Sequence, residues 1–252
     1  MNYFQSSTYF QPIKYVLALI LMLTAFLSWS NAPDFNKFKA GIERKTAFFN
    51  YFSPLINDNN NAIAKTRKQL LQWSKNKTEL SEVDSKKIVD LAKRYRVENF
   101  NFNNSASWEK LINHVDVLPP SLALAQAANE SAWGTSRFVK IGNNYFGQWC
   151  FEIGCGIVPK RRSSGKTHEV AVFDNAEGSI ELYMQNLNNH PTYQKLRDIR
   201  AQLRKENKPI VGKALAAGVV NYSGRGKAYI KELRAIIKFN KLEKYDVTIN
   251  KS

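Results

Sequence analysis

Glu130 is the acidic side chain of this sequence best suited to donate a proton. The helix predicted over residues 121–130 is almost wholly apolar or small, so it should be buried and its last carboxyl group poorly solvated. Desolvation disfavours a charged carboxylate and raises its pKa, as a general acid near neutral pH requires. Trp133 follows closely and is suited to stacking on a sugar ring. The pattern favours general acid catalysis; the structural alternative is an exposed glutamate at a helix end.

Two short motifs surround this glutamate. Residues 127–134 read Ala-Ala-Asn-Glu-Ser-Ala-Trp-Gly, and residues 142–147 read Gly-Asn-Asn-Tyr-Phe-Gly. In this order and spacing they resemble the signature of the glucosaminidase family of lysozyme-like enzymes, glycoside hydrolase family 73. The resemblance covers roughly residues 104–242, and residues 147–173 resemble more narrowly one bacterial envelope protein. It implies a lysozyme-like fold and hydrolysis of β-1,4 bonds after N-acetylglucosamine in peptidoglycan, with Glu130 as proton donor and no cofactor.

The same resemblance assigns further site residues. A tyrosine near the end of such domains lies in the cleft, and Tyr222 matches it here; the alternative is an aromatic side chain that anchors the last helix. Asn143, Asn144 and Phe146 would shape the turn beneath the glutamate and, with Trp133, contact substrate. Because asparagine tolerates unusual backbone angles, a purely structural role for the pair stays open.

The second catalytic group is less well defined. Inverting glycosidases place a base about 6.5–9.5 Å from the acid, and retaining ones a nucleophile at about 5–5.5 Å. The family often places this acid on the first hairpin strand, but residues 157–162 contain none. Glu169 on the second strand is the nearest substitute, unless it is merely an exposed hairpin residue; Glu152 and Asp174 are weaker candidates. The substrate's own 2-acetamido group is a further alternative.

The elements that must position these residues are mostly helical, so we predict an α+β, predominantly α fold with a small β-hairpin lobe. Apolar stripes predict helices before residue 100, with a polar break at residues 57–61. Further helices are predicted at 108–115, from Pro120 to near Gly134, from a capping box at Asp174, near Pro191 and Pro209, and after Gly226. Residues 157–162 and 169–173 predict the hairpin. A cleft between lobe and helices would suit an extended substrate.

The charge balance implies an anionic partner. There are 37 Lys and Arg residues against 21 Asp and Glu residues, a formal net charge of +16. No nucleic-acid motif accompanies them, so we expect peptidoglycan strands, whose stem peptides carry carboxylates, and no nucleic acid. The hairpin offers four cations that could hold this polymer, Lys160, Arg161, Arg162 and Lys166. Binding through them would weaken with salt.

The N-terminus predicts export. Lys14 precedes an apolar run at residues 15–27, which is typical of a signal or anchor segment. We expect four regions: a tail and signal segment at 1–30, a helical region at 31–103, the catalytic domain at 104–242 and a tail at 243–252. The expected location is the periplasmic side of the cell envelope, secreted or anchored in the inner membrane.

Cysteine and histidine usage bears on disulfides and metals. Cys150 and Cys155 could form a small-loop disulfide in an oxidising compartment, or remain free thiols. The three histidines, His114, His168 and His190, lack metal-ligand spacing, so no metal site is expected. Two other functions stay open: a lytic transglycosylase using one glutamate, and a wall-binding protein without turnover.

Overall fold

The computed structural model describes residues 32–160, 162 and 165–247. Residues 33–252 cluster as one compact unit. The predicted signal or anchor segment lies outside the described residues. Among the helices that are described, none is both long enough and apolar enough to cross a bilayer.

Nine α-helices run through the described residues, joined by short 3-10 turns. They are α1 (Ile42–Lys75), α2 (Glu82–Arg94), α3 (Ser105–His114), α4 (Pro120–Glu130), α5 (Arg137–Gly142), α6 (Ala176–Asn189), α7 (Gln194–Lys205), α8 (Gly212–Leu215) and α9 (Lys227–Phe239). The predominantly helical class predicted from the sequence is confirmed.

The long helix α1 contradicts the polar break predicted at residues 57–61. The helix continues through this segment without interruption. Asn60 is buried there, its Nδ2 donates to the Leu118 carbonyl at 2.8 Å, and its Oδ1 accepts from the Leu118 amide at 3.0 Å. An asparagine whose amide group is paired with distant backbone no longer competes with its own helix, so tertiary contacts override the local preference.

Helix α4 lies at the centre of the fold. Every residue from Pro120 to Ala128 is buried, and Pro120 occupies the first turn as the sequence predicts. The helix packs against α1, α8, α9 and the 3-10 turn Leu242–Tyr245. That turn begins at the last residue of the predicted catalytic domain and continues into the predicted C-terminal tail, and the buried Asp246 after it accepts from the Ser121 amide at 2.8 Å. The chain end thus fixes the start of the helix that ends at Glu130.

A three-stranded antiparallel sheet forms the lobe. Its strands are β1 (Trp149–Cys150), β2 (Gly156–Ile157) and β3 (Glu169–Ala171), in the order β1-β3-β2. Ile157 pairs with Val170, which confirms the predicted hairpin, although its strands are shorter than expected. Strand β1 was not predicted, because two residues are too few to show an alternating pattern.

The capping prediction for α6 is wrong by one residue. The N-cap is Asn175, whose Oδ1 accepts from the Gly178 amide at 2.9 Å, rather than Asp174. Asparagine and aspartate are equivalent as caps, and here the chain enters the helix one residue later. The last helix begins directly after Gly226, as predicted.

Candidate active site

Glu130 is the last residue of α4 and is half-buried. Three left-handed residues follow within four positions: Ala132 (φ 50°), Trp133 (φ 60°) and Gly134 (φ 77°). A Cβ at Gly134 would lie 2.2 Å from the Phe35 ring, so only glycine fits at this turn. The turn stops the helix and leaves Glu130 at its end.

The Glu130 carboxyl group ends a chain of buried hydrogen bonds. The Tyr229 hydroxyl donates to Glu130 Oε1 at 2.7 Å, Gln126 Nε2 donates to the Tyr229 hydroxyl at 3.0 Å, and the Tyr183 hydroxyl donates to Gln126 Oε1 at 2.8 Å. Burial raises the pKa of Glu130, and the Tyr229 hydrogen bond opposes part of that rise. The raised pKa agrees with the sequence argument for a general acid.

The two oxygens of this carboxyl group have different surroundings. Oε1 accepts from Tyr229, whereas Oε2 faces Gly147, where a Cβ would lie 3.6 Å away. Gly147 has a φ of 64°, which a larger residue would adopt only with strain. The missing side chain leaves room beside Oε2. If the acid gives up its proton to a substrate, Oε2 is therefore the oxygen from which it leaves.

Tyr222 lies beside this chain of hydrogen bonds. Its ring is parallel to that of Tyr229 with centroids 6.0 Å apart, and its hydroxyl donates to the Phe146 carbonyl at 2.7 Å. Phe146 is fully buried and stacks on Tyr183 at 4.0 Å. The structure therefore brings Tyr222 and Phe146 together with the partners of Glu130. Phe146 supports the site from within the core.

Asn143 and Asn144 hold the turn between α5 and the lobe. Asn143 is left-handed (φ 47°), and its Nδ2 donates to the carbonyls of Phe173 and Asp174 at 3.0 and 3.1 Å. The buried Asn144 donates to the Gln148 and Ala171 carbonyls at 2.8 and 2.9 Å. These contacts are structural; substrate binding by the pair stays a prediction.

Trp133 packs towards α1. Its ring lies edge-on to Phe48 and Phe49, with centroids 6.0 and 5.5 Å away, and Lys45 Nζ lies 4.9 Å from the ring centre. The side chain is half-buried, so part of the ring remains accessible. Its stacking on a sugar stays a prediction.

Glu169 is buried in the lobe rather than exposed on the hairpin. Its Oε1 accepts from the Gly154 amide at 3.1 Å and its Oε2 from the Gly156 amide at 2.8 Å. These backbone hydrogen bonds lower the pKa of Glu169, and the one from the Gly154 amide has the larger effect. One oxygen is thus bound to the loop that follows β1 and the other to the first residue of β2. A catalytic role for Glu169 stays a prediction, and its contacts favour a structural one.

The cysteines form the disulfide that the sequence left open. Cys150 and Cys155 are bonded, with their Cα atoms 6.1 Å apart. The two sulfur atoms and a Glu169 oxygen lie within 4.8 Å of one another. Sulfur in a disulfide is not a thiolate and is therefore no metal ligand of the usual kind.

The basic side chains of the hairpin are only partly described. Arg162 donates to the carbonyls of Thr167 and His168 at 3.3 Å and lies 4.0 Å from Glu169, so it helps to hold the hairpin. Lys160 and Lys166 are exposed, and Arg161 lies outside the described residues. Wall binding by these cations stays a prediction.

Sequence reasoning missed the roles of five residues around Glu130. Gln126 could have been found, because it lies one helical turn before Glu130 on the same face. Tyr229 gave no local signal, since it is 99 residues away. With its side-chain amide oriented by its hydrogen-bonding surroundings, Asn129 accepts from Arg225 Nη2 and donates to Glu232 Oε1, both at 3.2 Å. Arg225 and Glu232 form an ion pair at 2.6 Å; the Arg225 charge lowers the pKa of Glu130, and the Glu232 charge raises it to a smaller extent.

The chain is similar to known proteins. A family model described as mannosyl-glycoprotein endo-beta-N-acetylglucosaminidase matches residues 105–242. Protein bax of Escherichia coli (strain K12) is 34% identical over 217 residues, which cover 84% of this chain and 75% of that protein. This match confirms the narrower resemblance of residues 147–173. The catalytic domain of the autolysin Auto from Listeria monocytogenes aligns over 95% of this chain and 99% of its own, at 17% identity and a TM-score of 0.41. The chain belongs to the glucosaminidase family of glycoside hydrolases.

Proposed function

We propose that this protein is a peptidoglycan hydrolase that cleaves β-1,4 bonds after N-acetylglucosamine in the cell envelope. The single observation that carries the proposal is the Glu130 carboxyl group, with its raised pKa, one oxygen bonded to Tyr229 and the other facing the space beside Gly147. Family membership supports the glycosidic bond as the target. The basic net charge supports an acidic polymer as the substrate.

In the proposed reaction Glu130 acts as the general acid. Its Oε2 gives a proton to the glycosidic oxygen as that bond breaks, while Tyr229 holds Oε1 in place. The positive charge that develops on the sugar must then be met by a second group. Glu169 has both oxygens bound to backbone amides, so the acetamido group of the substrate is the better-supported partner.

A Glu130→Gln variant tests the acid. Glutamine keeps the shape of the side chain but has no acidic proton, so we expect cleavage of purified peptidoglycan to fall by about 10²–10⁴-fold. Glu98→Gln, at an exposed position before the predicted catalytic domain, is the matched control and should cleave normally. Thermal unfolding followed by circular dichroism checks that both variants fold. Turnover at the wild-type rate by Glu130→Gln would refute the assignment.

Both carboxylate oxygens of Glu169 are bound to backbone amides, which leaves Glu130 as the acid of the site. A lytic transglycosylase works with one acid, so this second reaction also stays open. Mass spectrometry of the digested wall separates the two. Reducing-end N-acetylglucosamine supports hydrolysis as proposed, whereas 1,6-anhydromuramic ends support transglycosylation. If neither product forms, the protein is a wall-binding protein and the proposed activity is wrong.

A further inference from the structure

A cavity of about 680 Å³ opens between α1 and α7, away from the residues around Glu130. Five basic side chains line it, Lys65, Arg67, Lys68, Lys75 and Arg204, and no acidic residue does. Its volume is within the range of about 300–1,000 Å³ that is usual for ligand sites. Its charge is of one sign, which indicates an anionic ligand.

The arginine side chains in and behind the wall of this cavity have fewer carboxylate partners than positive charges. Asp116 lies behind it, with Arg204 at 2.6 Å, Arg67 at 3.5 Å and the buried Arg200 at 3.6 Å. Three guanidinium groups thus share one carboxylate, and two positive charges remain. Fixed charge in poorly solvated surroundings attracts an anion more strongly than the same charge in water.

The rim adds three exposed cations. Lys65, Lys68 and Lys75 are exposed on α1, and in the described part of the chain no carboxylate lies within ion-pair distance of them. Lys68 and Lys75 follow each other at a spacing of two helical turns, so both face the cavity. Between them lies Leu71, 37% exposed, which contributes to an apolar floor.

The floor is built from small hydrocarbon groups. Ala64, Leu71 and the buried Val117 supply methyl groups beneath the ring of cations. A bare inorganic anion would not use this floor. A ligand with small apolar side chains and free carboxylates would use both floor and rim.

We propose that this cavity binds the acidic stem peptides of peptidoglycan, whose small side chains lie on the floor and whose carboxylates pair with the rim lysines. The inference rests on the proposed function for the identity of the polymer. Val117 precedes α4, whereas Glu130 ends it, and an eleven-residue helix is roughly 16 Å long. The cavity therefore holds a part of the wall other than the bond being cut.

The test compares two double variants of the full chain. Lys65→Glu with Lys68→Glu reverses the rim, and Lys86→Glu with Lys93→Glu makes the same charge change at exposed positions on α2. The probe is the soluble stem peptide Ala-Glu-diaminopimelate-Ala, titrated by calorimetry at low and high salt. We expect wild-type binding that weakens with salt, at least tenfold weaker binding by the rim variant, and a change of less than twofold in the control.

Cleavage assays separate this inference from the proposed function. On glycan strands freed of peptides by an amidase, the rim variant should match the wild type; on intact wall its KM should rise. If the peptide does not bind while stripped glycan is still cut, the inference is wrong and the proposed function stands. If the peptide binds but no glycan is cut, the cavity assignment stands and the proposed function fails. Rim-dependent binding to phosphatidylglycerol vesicles without peptide binding would overturn the inference in favour of a lipid surface.

Discussion

At the scale of single residues, the hydrogen bond from Tyr229 tunes the acidity of Glu130. Burial raises the pKa of the carboxyl group, and the tyrosine hydroxyl counteracts this by stabilising the carboxylate. Tyr229 is itself fully buried, so its hydroxyl group is shielded from bulk water. The two effects together set the pH range over which Glu130 holds a proton for the leaving group.

Tyr229→Phe should therefore raise the pKa of Glu130 further. The acid then stays protonated to higher pH, so the alkaline limb of the kcat/KM profile moves to higher pH. The pH dependence of cleavage of a soluble glycan, with an NMR titration of Glu130, measures this. Tyr193→Phe, which removes a nearby phenol that makes no described hydrogen bond to Glu130, should leave the limb in place. A shift to lower pH in Tyr229→Phe would contradict the argument.

The residue scale also shows what local sequence can predict. Glu130 was identifiable because its helix is apolar and its motif is contiguous in sequence. The different surroundings of its two carboxyl oxygens could not be predicted, because Tyr229 on α9 and Gly147 after α5 reach Glu130 only through the packing of these elements around α4. For Trp133, proximity in sequence suggested a place beside Glu130. Its contacts with α1 could not be predicted in this way, because Phe48 and Phe49 are distant in sequence.

At the scale of elements, Glu169 and the disulfide hold the loop between β1 and β2. The disulfide closes this loop, and the carboxylate binds the Gly154 amide in the loop and the Gly156 amide at the start of β2, so the lobe is fixed although its strands have only two or three residues. A sheet this small has little apolar area of its own to bury. Its stability therefore depends on these polar and covalent links.

Glu169→Gln separates a structural from a catalytic role. The amide retains the shape but has only one acceptor oxygen, so the Gly154 and Gly156 amides should exchange hydrogen faster, while kcat stays within about tenfold of the wild type. Loss of a catalytic carboxylate would instead reduce kcat by about 10²-fold or more. The lowered pKa of Glu169 means that its contribution to stability is present above its ordinary pKa and is lost as the pH falls through the lowered value. The protection factors of the wild-type lobe amides, corrected for the intrinsic pH dependence of exchange, should therefore fall in acid, and those of Glu169→Gln much less.

Element boundaries were predictable where the chain itself carries the signal. Pro120 and Gly226 mark helix starts that the structure confirms. The break at residues 57–61 failed because five polar residues in a row are typical of a loop, whereas Asn60 is satisfied by Leu118, 58 residues away. Such a contact depends on the tertiary structure and leaves no trace in the local pattern.

At the scale of the whole molecule, a net charge of +16 must be accommodated without loss of the core. Most basic residues lie on the surface, but Arg197 and Arg200 are almost completely buried. Arg200 donates to the carbonyls of Asp116 and Val117 and pairs with the Asp116 side chain. Sequence alone could not identify which of 37 cations would be internal, because their partners come from α3, α6 and the segment before α4.

Asp116 is the counter-charge on which this arrangement depends. Burial alone would raise its pKa, but Arg200, Arg204 and Arg67 lower it overall. Asp116→Ala would leave the buried Arg200 and its two neighbours without a carboxylate, and breaking a buried ion pair in this way costs about 3–5 kcal/mol of unfolding free energy. Urea unfolding at neutral pH measures the loss. Asp84→Ala, which removes an exposed and solvent-screened pair with Lys87, should cost far less.

The pH dependence of this loss provides the stricter test. Because the pKa of Asp116 is lowered in the folded protein, its contribution is fully present above its unfolded pKa of 3.8 and disappears as the pH falls through the lowered value. The difference in unfolding free energy between the wild type and Asp116→Ala should therefore be constant near neutrality and shrink in strong acid. A difference that is small at pH 7, or that grows as the pH falls, would mean that Asp116 does not balance the three arginines.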